Sequence, residues 1–124
     1  MNRLNTNTAI NWDQFSMLMG ETTDPQDEEL TELYNMFVND TEAQLSSLVQ
    51  DQLPDDLASV GKDAHRMRGA AASFGFEGFT EILNKIETEI ESLSKEDVSS
   101  LLSSSFESFK SSREIISSRY SYLA

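Results

Sequence analysis

Apolar residues recur at intervals of three and four positions along most of this 124-residue chain. That spacing is typical of one face of an α-helix. No stretch sustains the alternation of apolar and polar residues that marks a half-buried strand. The pattern therefore predicts an all-α protein, divided into segments by two prolines and five glycines.

The breaks in the pattern predict one short helix and four long ones, which cover about residues 11–19, 26–52, 55–74, 79–93 and 98–123. Asp24-Pro25 is a favourable helix start, and Gly20 a favourable helix end. Ser94 and Asp97 have the spacing of a capping box before the last helix. Each helix has one apolar stripe and the connections are short, so the stripes must bury one another. We predict an up-down four-helix bundle with an additional short N-terminal helix.

The length of the chain is enough to bury one core but not two. Residues 1–9 are polar and rich in asparagine, and they are predicted to form a flexible N-terminal arm. Residues 10–124 are then a single helical-bundle domain. In the serine-rich region 92–121 the serines fall mainly between apolar positions, which predicts a solvated helix face.

Charge and composition exclude several classes of function. The net charge is -13, from 22 acidic and 9 basic residues, which disfavours binding to nucleic acid or to an anionic membrane surface. The absence of cysteine excludes disulfides, thiolate catalysis and cysteine-ligated metals. The opening sequence MNRLNTNTAINW has no apolar signal region, and no apolar run is long enough to span a membrane. We expect a cytoplasmic protein, and nothing requires more than a monomer.

His65, the only histidine, lies in the stretch KDAHRMRGAAASFGFEG at residues 62–78. At roughly 100° per residue it lies about 130° from the centre of the apolar stripe of its helix. It is therefore predicted to point outward, surrounded on the helix surface by Gly61, Arg68, Gly69 and Ala72.

The two glycines need an explanation, because each costs a helix interior about 1 kcal/mol relative to alanine. One reading is that they let a neighbouring helix of the bundle come close. The other is that they let an outside molecule approach the imidazole. Gly61 and Gly69 are predicted to face away from the apolar stripe, which favours the second reading.

Most chemistry that a histidine supports is excluded by its surroundings. A hydrolytic triad needs an oriented acid, a nucleophile and an oxyanion hole, and the backbone amides in the middle of a helix are already hydrogen-bonded and cannot form such a hole. A zinc site needs three or four ligands, whereas this chain has one histidine and no cysteine. No calcium-binding or nucleotide-binding loop occurs. The sequence therefore predicts no metal site and no cofactor. The remaining chemistry is attack of the imidazole on phosphorus. Lys62, Arg66 and Arg68 form a basic island that could offset the incoming charge, although they could equally be ordinary surface charge.

The stretch HRMRGAAASFG resembles the signature of histidine-containing phosphotransfer (HPt) domains. That signature has a basic residue three positions after the histidine, glycine at four, small residues next and glycine at ten. Here these are Arg68, Gly69, Ala70 and Ala71, and Gly75. Lysine is usual where this chain has Arg68. The resemblance implies a four-helix bundle that displays a phosphorylatable His65.

The resemblance also implies a role. The chain would carry a phosphoryl group between the receiver-domain aspartates of two-component signalling proteins, with a sensor (hybrid) histidine kinase among its partners. The receiver would supply the aspartate and a magnesium ion, so the chain itself would be a carrier and not an enzyme. Gly61, Gly69, Ala72 and Gly75 would leave room for the receiver. Arg68 would stabilise the phosphoryl group.

In the family, a polar side chain from the next helix often hydrogen-bonds the histidine. His65 precedes the turn glycine Gly75 by ten residues and Glu87 follows it by twelve, so the two lie at similar height in an antiparallel pair. Glu87 is the first candidate to accept the Nδ1 proton, and Asn84 is the second.

Other interpretations stay open. The chain could be a helical adaptor that binds a receiver or kinase without phosphotransfer, while a small hydrolase is disfavoured by the missing oxyanion hole. The first helix, with Trp12, Phe15, Met17, Leu18 and Met19, could cap the core or contribute to partner docking. The sequence names neither the kinase nor the regulator, and it does not distinguish a free-standing protein from an excised domain.

Overall fold

The computed structural model describes residues 9–20, 28–50, 53 and 55–123, without the side chain of residue 121. These residues form five α-helices: α1 (Trp12–Met19), α2 (Glu28–Gln50), α3 (Ala58–Ser73), α4 (Glu77–Glu89) and α5 (Lys95–Arg119). Short 3₁₀ turns follow α4 at Ile90–Ser92 and α5 at Ser121–Leu123. No described residue lies in a strand, which confirms the all-α prediction. Residues 1–8 of the predicted arm, Asp24-Pro25 and Pro54 lie outside the described residues.

Side chains at the helix ends fix where two of the helices begin. The Asn11 side chain accepts a hydrogen bond from the amide of Gln14 (3.1 Å) and so caps α1. The Ser94 hydroxyl accepts from the amide of Asp97 (3.1 Å), whose carboxylate accepts from the amide of Ser94 (3.2 Å). These two reciprocal bonds satisfy amides that lack a partner within α5. The predicted capping box is confirmed.

All five helices contribute to one apolar core. Its centre is aromatic: the ring of Phe76, in the connection between α3 and α4, lies 5.1 Å from that of Phe37 and 5.7 Å from that of Phe109. Aromatic contacts of this kind stabilise a core beyond the area that they bury. Tyr34 is also buried here, and burial raises the pKa of its phenol.

Helices α3 and α4 form the pair that carries the candidate site. Only Phe74–Phe76 connects them. Arg68 bonds to Glu87 across the pair, and Gly61, two turns earlier on α3, packs against Ile90 just beyond α4. The earlier residue on α3 therefore contacts the later residue at the end of α4, which means that the two helices are antiparallel. A short connection favours this arrangement.

The serine-rich helix α5 follows the prediction for most of its serines. Five are exposed, namely Ser99, Ser100, Ser103, Ser104 and Ser118. Three others, Ser105, Ser108 and Ser112, are buried. They occupy one side of the helix at intervals of three and four residues, together with Phe109 and Ile116. These three depart from the predicted solvated face because small side chains fill positions where α5 meets its neighbours. None of the described helices is both long and apolar enough to cross a membrane.

Gly75 lies just after the end of α3, where the N-terminal segment packs on it. Its φ of 74° lies in the left-handed region that favours glycine. Its carbonyl accepts from the amide of Asn11 (2.8 Å), and a Cβ at this position would lie 2.5 Å from the Asn11 carbonyl oxygen. The prediction that Gly75 gives a partner access is therefore wrong, because the chain itself covers it. Ala9 is also held, since its carbonyl accepts from the amide of Gly78 (2.9 Å), so the predicted flexible arm does not extend to residue 9.

Replacing Gly75 with alanine is expected to destabilise the fold by about 3 kcal/mol, from backbone strain and displacement of the N-terminal segment. Urea unfolding followed by circular dichroism measures the loss. Gly20→Ala is the control for strain without a clash, because Gly20 has φ 91° and ψ 164° but a Cβ there meets nothing within 4 Å. It should lose only the strain of a conformation that is nearly restricted to glycine, about 2 kcal/mol. A loss in Gly75→Ala clearly smaller than in Gly20→Ala would show that the contact with Asn11 contributes nothing.

Candidate functional site

The imidazole of His65 is exposed near the middle of α3. The buried face of this helix comprises Val60, Ala64, Met67 and Ala71, at intervals of three and four. His65 lies on another side of the helix, and 66% of its side-chain surface is accessible. The prediction that the ring points outward is confirmed.

Glu87 of α4 holds one nitrogen of this ring. Its Oε2 atom contacts Nδ1 of His65, and the Glu87 side chain is 23% accessible. An ionised carboxylate can only accept a hydrogen bond, so the proton of this contact lies on Nδ1. Nε2 is then the unprotonated nitrogen of the neutral ring, with its lone pair available.

Arg68 binds the other oxygen of the same carboxylate. Its Nε donates to Oε1 of Glu87 at 2.7 Å. This bond is the main cause that lowers the pKa of Glu87; the contact with His65 adds to it, and partial burial opposes both. Arg68 Nη2 also lies 3.4 Å from His65 Nδ1. Nδ1 donates its own proton to Glu87 and so has no lone pair to accept one from Arg68. The guanidinium therefore acts on Nδ1 only as a nearby positive charge.

Of the two candidates on α4, Glu87 is the residue that contacts the histidine. Asn84 is exposed one turn earlier, and its backbone carbonyl accepts from the hydroxyl of Thr88 (2.9 Å). The register of the α3–α4 pair therefore brings Glu87, and not Asn84, to the height of His65.

The small residues near His65 do not all share one surface. Gly69 and Ala72 are exposed, and a Cβ at Gly69 would meet nothing within 4 Å. Gly61 is instead buried, and a Cβ there would lie 3.3 Å from Cγ2 of Ile90. The expectation that Gly61 faces an outside partner is wrong, because the 3₁₀ turn after α4 packs on it. The exposed helix surface with small side chains next to His65 therefore lies only on the side of Gly69 and Ala72.

A groove of about 600 Å³ opens beside His65, between the start of α3 and the end of α4. Leu57, Ile90 and Leu93 give it an apolar lining. Lys62 also lines it, one turn before His65. Among the described residues Lys62 makes no salt bridge, whereas Arg66 pairs with Asp63 (3.1 Å). Within the basic island, Lys62 is thus the cation free to meet a new anion. Sequence reasoning placed it in the island but not in the site.

Helix α1 mainly caps the core. Phe15 and Met19 are buried, Trp12 and Leu18 are half-buried, and only Met17 is largely exposed, at 77%. The Gln14 side chain donates to the Ser73 carbonyl (3.0 Å), so α1 lies at the end of α3 beyond Gly69 and Ala72. Of the large apolar residues in α1, Met17 is the one left for a partner.

The described side chains contain no group of three or more His, Cys, Asp or Glu residues arranged to hold a metal ion. The described groups around His65 are the carboxylate of Glu87 at Nδ1, the guanidinium of Arg68 and, in the adjoining groove, the ammonium of Lys62. Such a set can orient the imidazole and attract an anion to it.

In a comparison with models of protein families, the model of the Hpt domain matches residues 32–112 of this chain, a range that includes α3, α4 and His65. No curated protein and no solved structure matches the chain significantly.

Proposed function

The chain belongs to the Hpt domain family, and we propose that it carries a phosphoryl group on Nε2 of His65 between receiver-domain aspartates. The observation that carries this proposal is the exposed imidazole whose Nδ1 contacts Glu87. Domains of this family act as phosphotransfer modules of two-component phosphorelays. The proposed partners are a receiver domain and a sensor histidine kinase. The proposal places the chain in the cytoplasm, as a monomer.

The transfer step exchanges one bond to phosphorus for another. The Nε2 lone pair attacks the phosphorus of an aspartyl phosphate on the receiver. The bond between phosphorus and the aspartate oxygen breaks, and its electron pair returns to the carboxylate. Nδ1 keeps its proton, so the product is a cationic phosphoimidazole. A second receiver's aspartate reverses these steps and takes the phosphoryl group onward.

The chain supplies position and charge, which are the main needs of phosphoryl transfer. Glu87 orients the ring. Arg68 and Lys62, one turn to either side of His65, offset part of the roughly two negative charges of the phosphoryl group. The aspartate and the magnesium ion come from the receiver, so we propose a carrier and not an autonomous enzyme.

The surface around His65 suits a docked receiver. In-line attack needs the reacting atoms about 3–3.5 Å apart, so the receiver must cover the helix closely. Gly69 and Ala72 offer a low surface on one side of His65. The apolar groove lined by Leu57, Ile90 and Leu93 offers a contact on the other.

The test is phosphoryl uptake from a receiver. The chain is incubated with a phosphorylated receiver domain and magnesium, and its intact mass is measured. We expect a mass increase of one phosphoryl group, acid-labile and located on the peptide that contains His65. A chain that binds the receiver without gaining this mass would be the adaptor, and the carrier proposal would be wrong.

Replacing Arg68 with alanine is expected to shorten the half-life of the phosphohistidine about fivefold. The reason is that a partly exposed, charged hydrogen bond from the guanidinium to the phosphoryl group would contribute about 1 kcal/mol. The decay is followed by mass after the receiver is removed. Arg68→Lys, which keeps the charge, should recover most of the half-life. An unchanged half-life in the alanine variant would remove Arg68 from the site.

A further inference from the structure

The groove beside His65 carries, on each of its two walls, a charge that has no salt-bridge partner among the described residues. We infer that Lys62 on one wall and Glu91 on the other select the receiver and fix the direction in which it docks. The receiver that fits presents apolar side chains to the groove, a basic side chain to Glu91 and an acidic one to Lys62. The inference rests on the proposed function and deepens it, because it names the chemistry of the docked surface.

The two charges lie on opposite walls of the groove at the same height. Lys62 follows Gly61 on α3, and Glu91 follows Ile90 in the 3₁₀ turn after α4. Gly61 and Ile90 pack against each other, since a Cβ on Gly61 would lie 3.3 Å from Cγ2 of Ile90. Both charged side chains are exposed and line the groove. One wall is therefore positive where the opposite wall is negative.

The other carboxylates that line the groove are already engaged. The carboxylate of Asp55 accepts from the ammonium of Lys95 (2.8 Å), and that of Asp56 accepts from the amide of Ala58 (3.0 Å). The carboxylate of Glu87 is held by two side chains. A partner would have to disrupt these contacts in order to use the three carboxylates. The two free charges can instead pair with a partner while every existing contact is kept.

The surface between the two charges is apolar. Leu57, Ile90 and Leu93 are each only partly buried and pack against the core from outside it. Removing their exposed surface from water favours association with an apolar partner. A segment made only of charged residues would leave this surface unused. The groove therefore fits an apolar segment that is flanked by charges of opposite sign.

Opposite charges on the two walls distinguish between two directions of docking. A segment in the matching direction forms an ion pair with each wall, whereas the same segment turned end for end meets like charge on both. Like charges brought together at an interface are costly, and this cost discriminates against wrong partners and wrong orientations. An acidic group toward Lys62 agrees with the aspartate that the receiver must bring to His65, one turn further along α3.

The test measures the binding of an unphosphorylated receiver, so that no phosphoryl group contributes. The receiver is one that phosphorylates the chain, and its Kd is measured by calorimetry at low and at high salt. Glu91→Lys makes both walls positive and should weaken binding about tenfold at low salt. In about 0.5 M salt the difference should fall to about twofold, because salt screens exposed charges. Equal Kd values for this variant and the unmodified chain would overturn the inference.

A double variant separates the arrangement of the charges from their sum. Lys62→Glu with Glu91→Lys keeps the net charge of -13 but exchanges the charges of the two walls. We expect binding about tenfold weaker or worse; binding as tight as that of the unmodified chain would overturn the inference. Glu81→Lys is the control for the single variant, since Glu81 is exposed on α4 and does not line the groove. Its Kd should stay within about twofold of the original.

Methyl NMR of the chain locates the contact. Addition of the receiver should shift the methyl signals of Leu57, Ile90 and Leu93. A receiver that shifts only the amide signal of Gly69 would dock on the other side of His65, and the inference would be wrong. It would also be wrong if these methyl signals shifted when the concentration of the chain alone is raised, because a second copy would then occupy the groove. A chain that takes up no phosphate would instead reject the proposed function, so the two failures are distinguishable.

Discussion

Replacing His65 with glutamine is expected to abolish acid-labile phosphate uptake from a phosphorylated receiver. His65 is the only histidine in the chain, so no second imidazole can accept the group. Aspartate and glutamate could form only acyl phosphates, which differ from phosphohistidine because alkali destroys them. Mass analysis of the intact protein and of its peptides, after exposure to acid and to alkali, measures the loss.

The same variant should remain folded and should still bind. The His65 side chain is 66% accessible, so its replacement should change the free energy of unfolding by no more than about 0.5 kcal/mol. Arg66→Gln, at the next and likewise exposed position, is the control that should take up phosphate normally. Uptake that persists in His65→Gln would locate the chemistry on another residue.

Much of the fold could be predicted because its signals are local. The spacing of apolar residues marks each helix, and Ser94 with Asp97 marks the start of α5 within four residues. The contact of Glu87 with His65 was also within reach of the sequence. A short connection at Gly75 fixes the register of two antiparallel helices, so counting from that glycine brings the correct pair together.

The errors occur where an element distant in the chain decides the environment. The position of Gly61 around its own helix says nothing of Ile90, which packs on it from beyond α4. Gly75 fits the family pattern, but its cover comes from Asn11. The buried serines of α5 have polar side chains, and only their neighbours place them inside. Arg66 pairs with Asp63 three residues earlier, a contact that helical spacing allows, whereas the free ammonium of Lys62 depends on side-chain geometry that spacing does not encode.

Gly69 offers the sharpest separation of function from stability. A Cβ at this position meets nothing within 4 Å, so the fold does not require glycine there. Glutamine is a better helix former, and Gly69→Gln should raise the free energy of unfolding by roughly 0.5 kcal/mol. Its side chain would project from the surface one turn after His65, where a receiver must approach.

Gly69→Gln is therefore expected to slow phosphoryl transfer about a hundredfold, because a displacement near 1 Å is enough to spoil in-line attack. Stopped-flow or quench measurements of transfer from a receiver give the rate, and thermal unfolding gives the stability. Ala70→Gln adds the same side chain at an exposed position of the same helix, about 140° around the axis from His65. That control should transfer normally. If Gly69→Gln transferred as fast as Ala70→Gln, no partner would cover this face of α3, and the proposed docking of the receiver over Gly69 would be wrong.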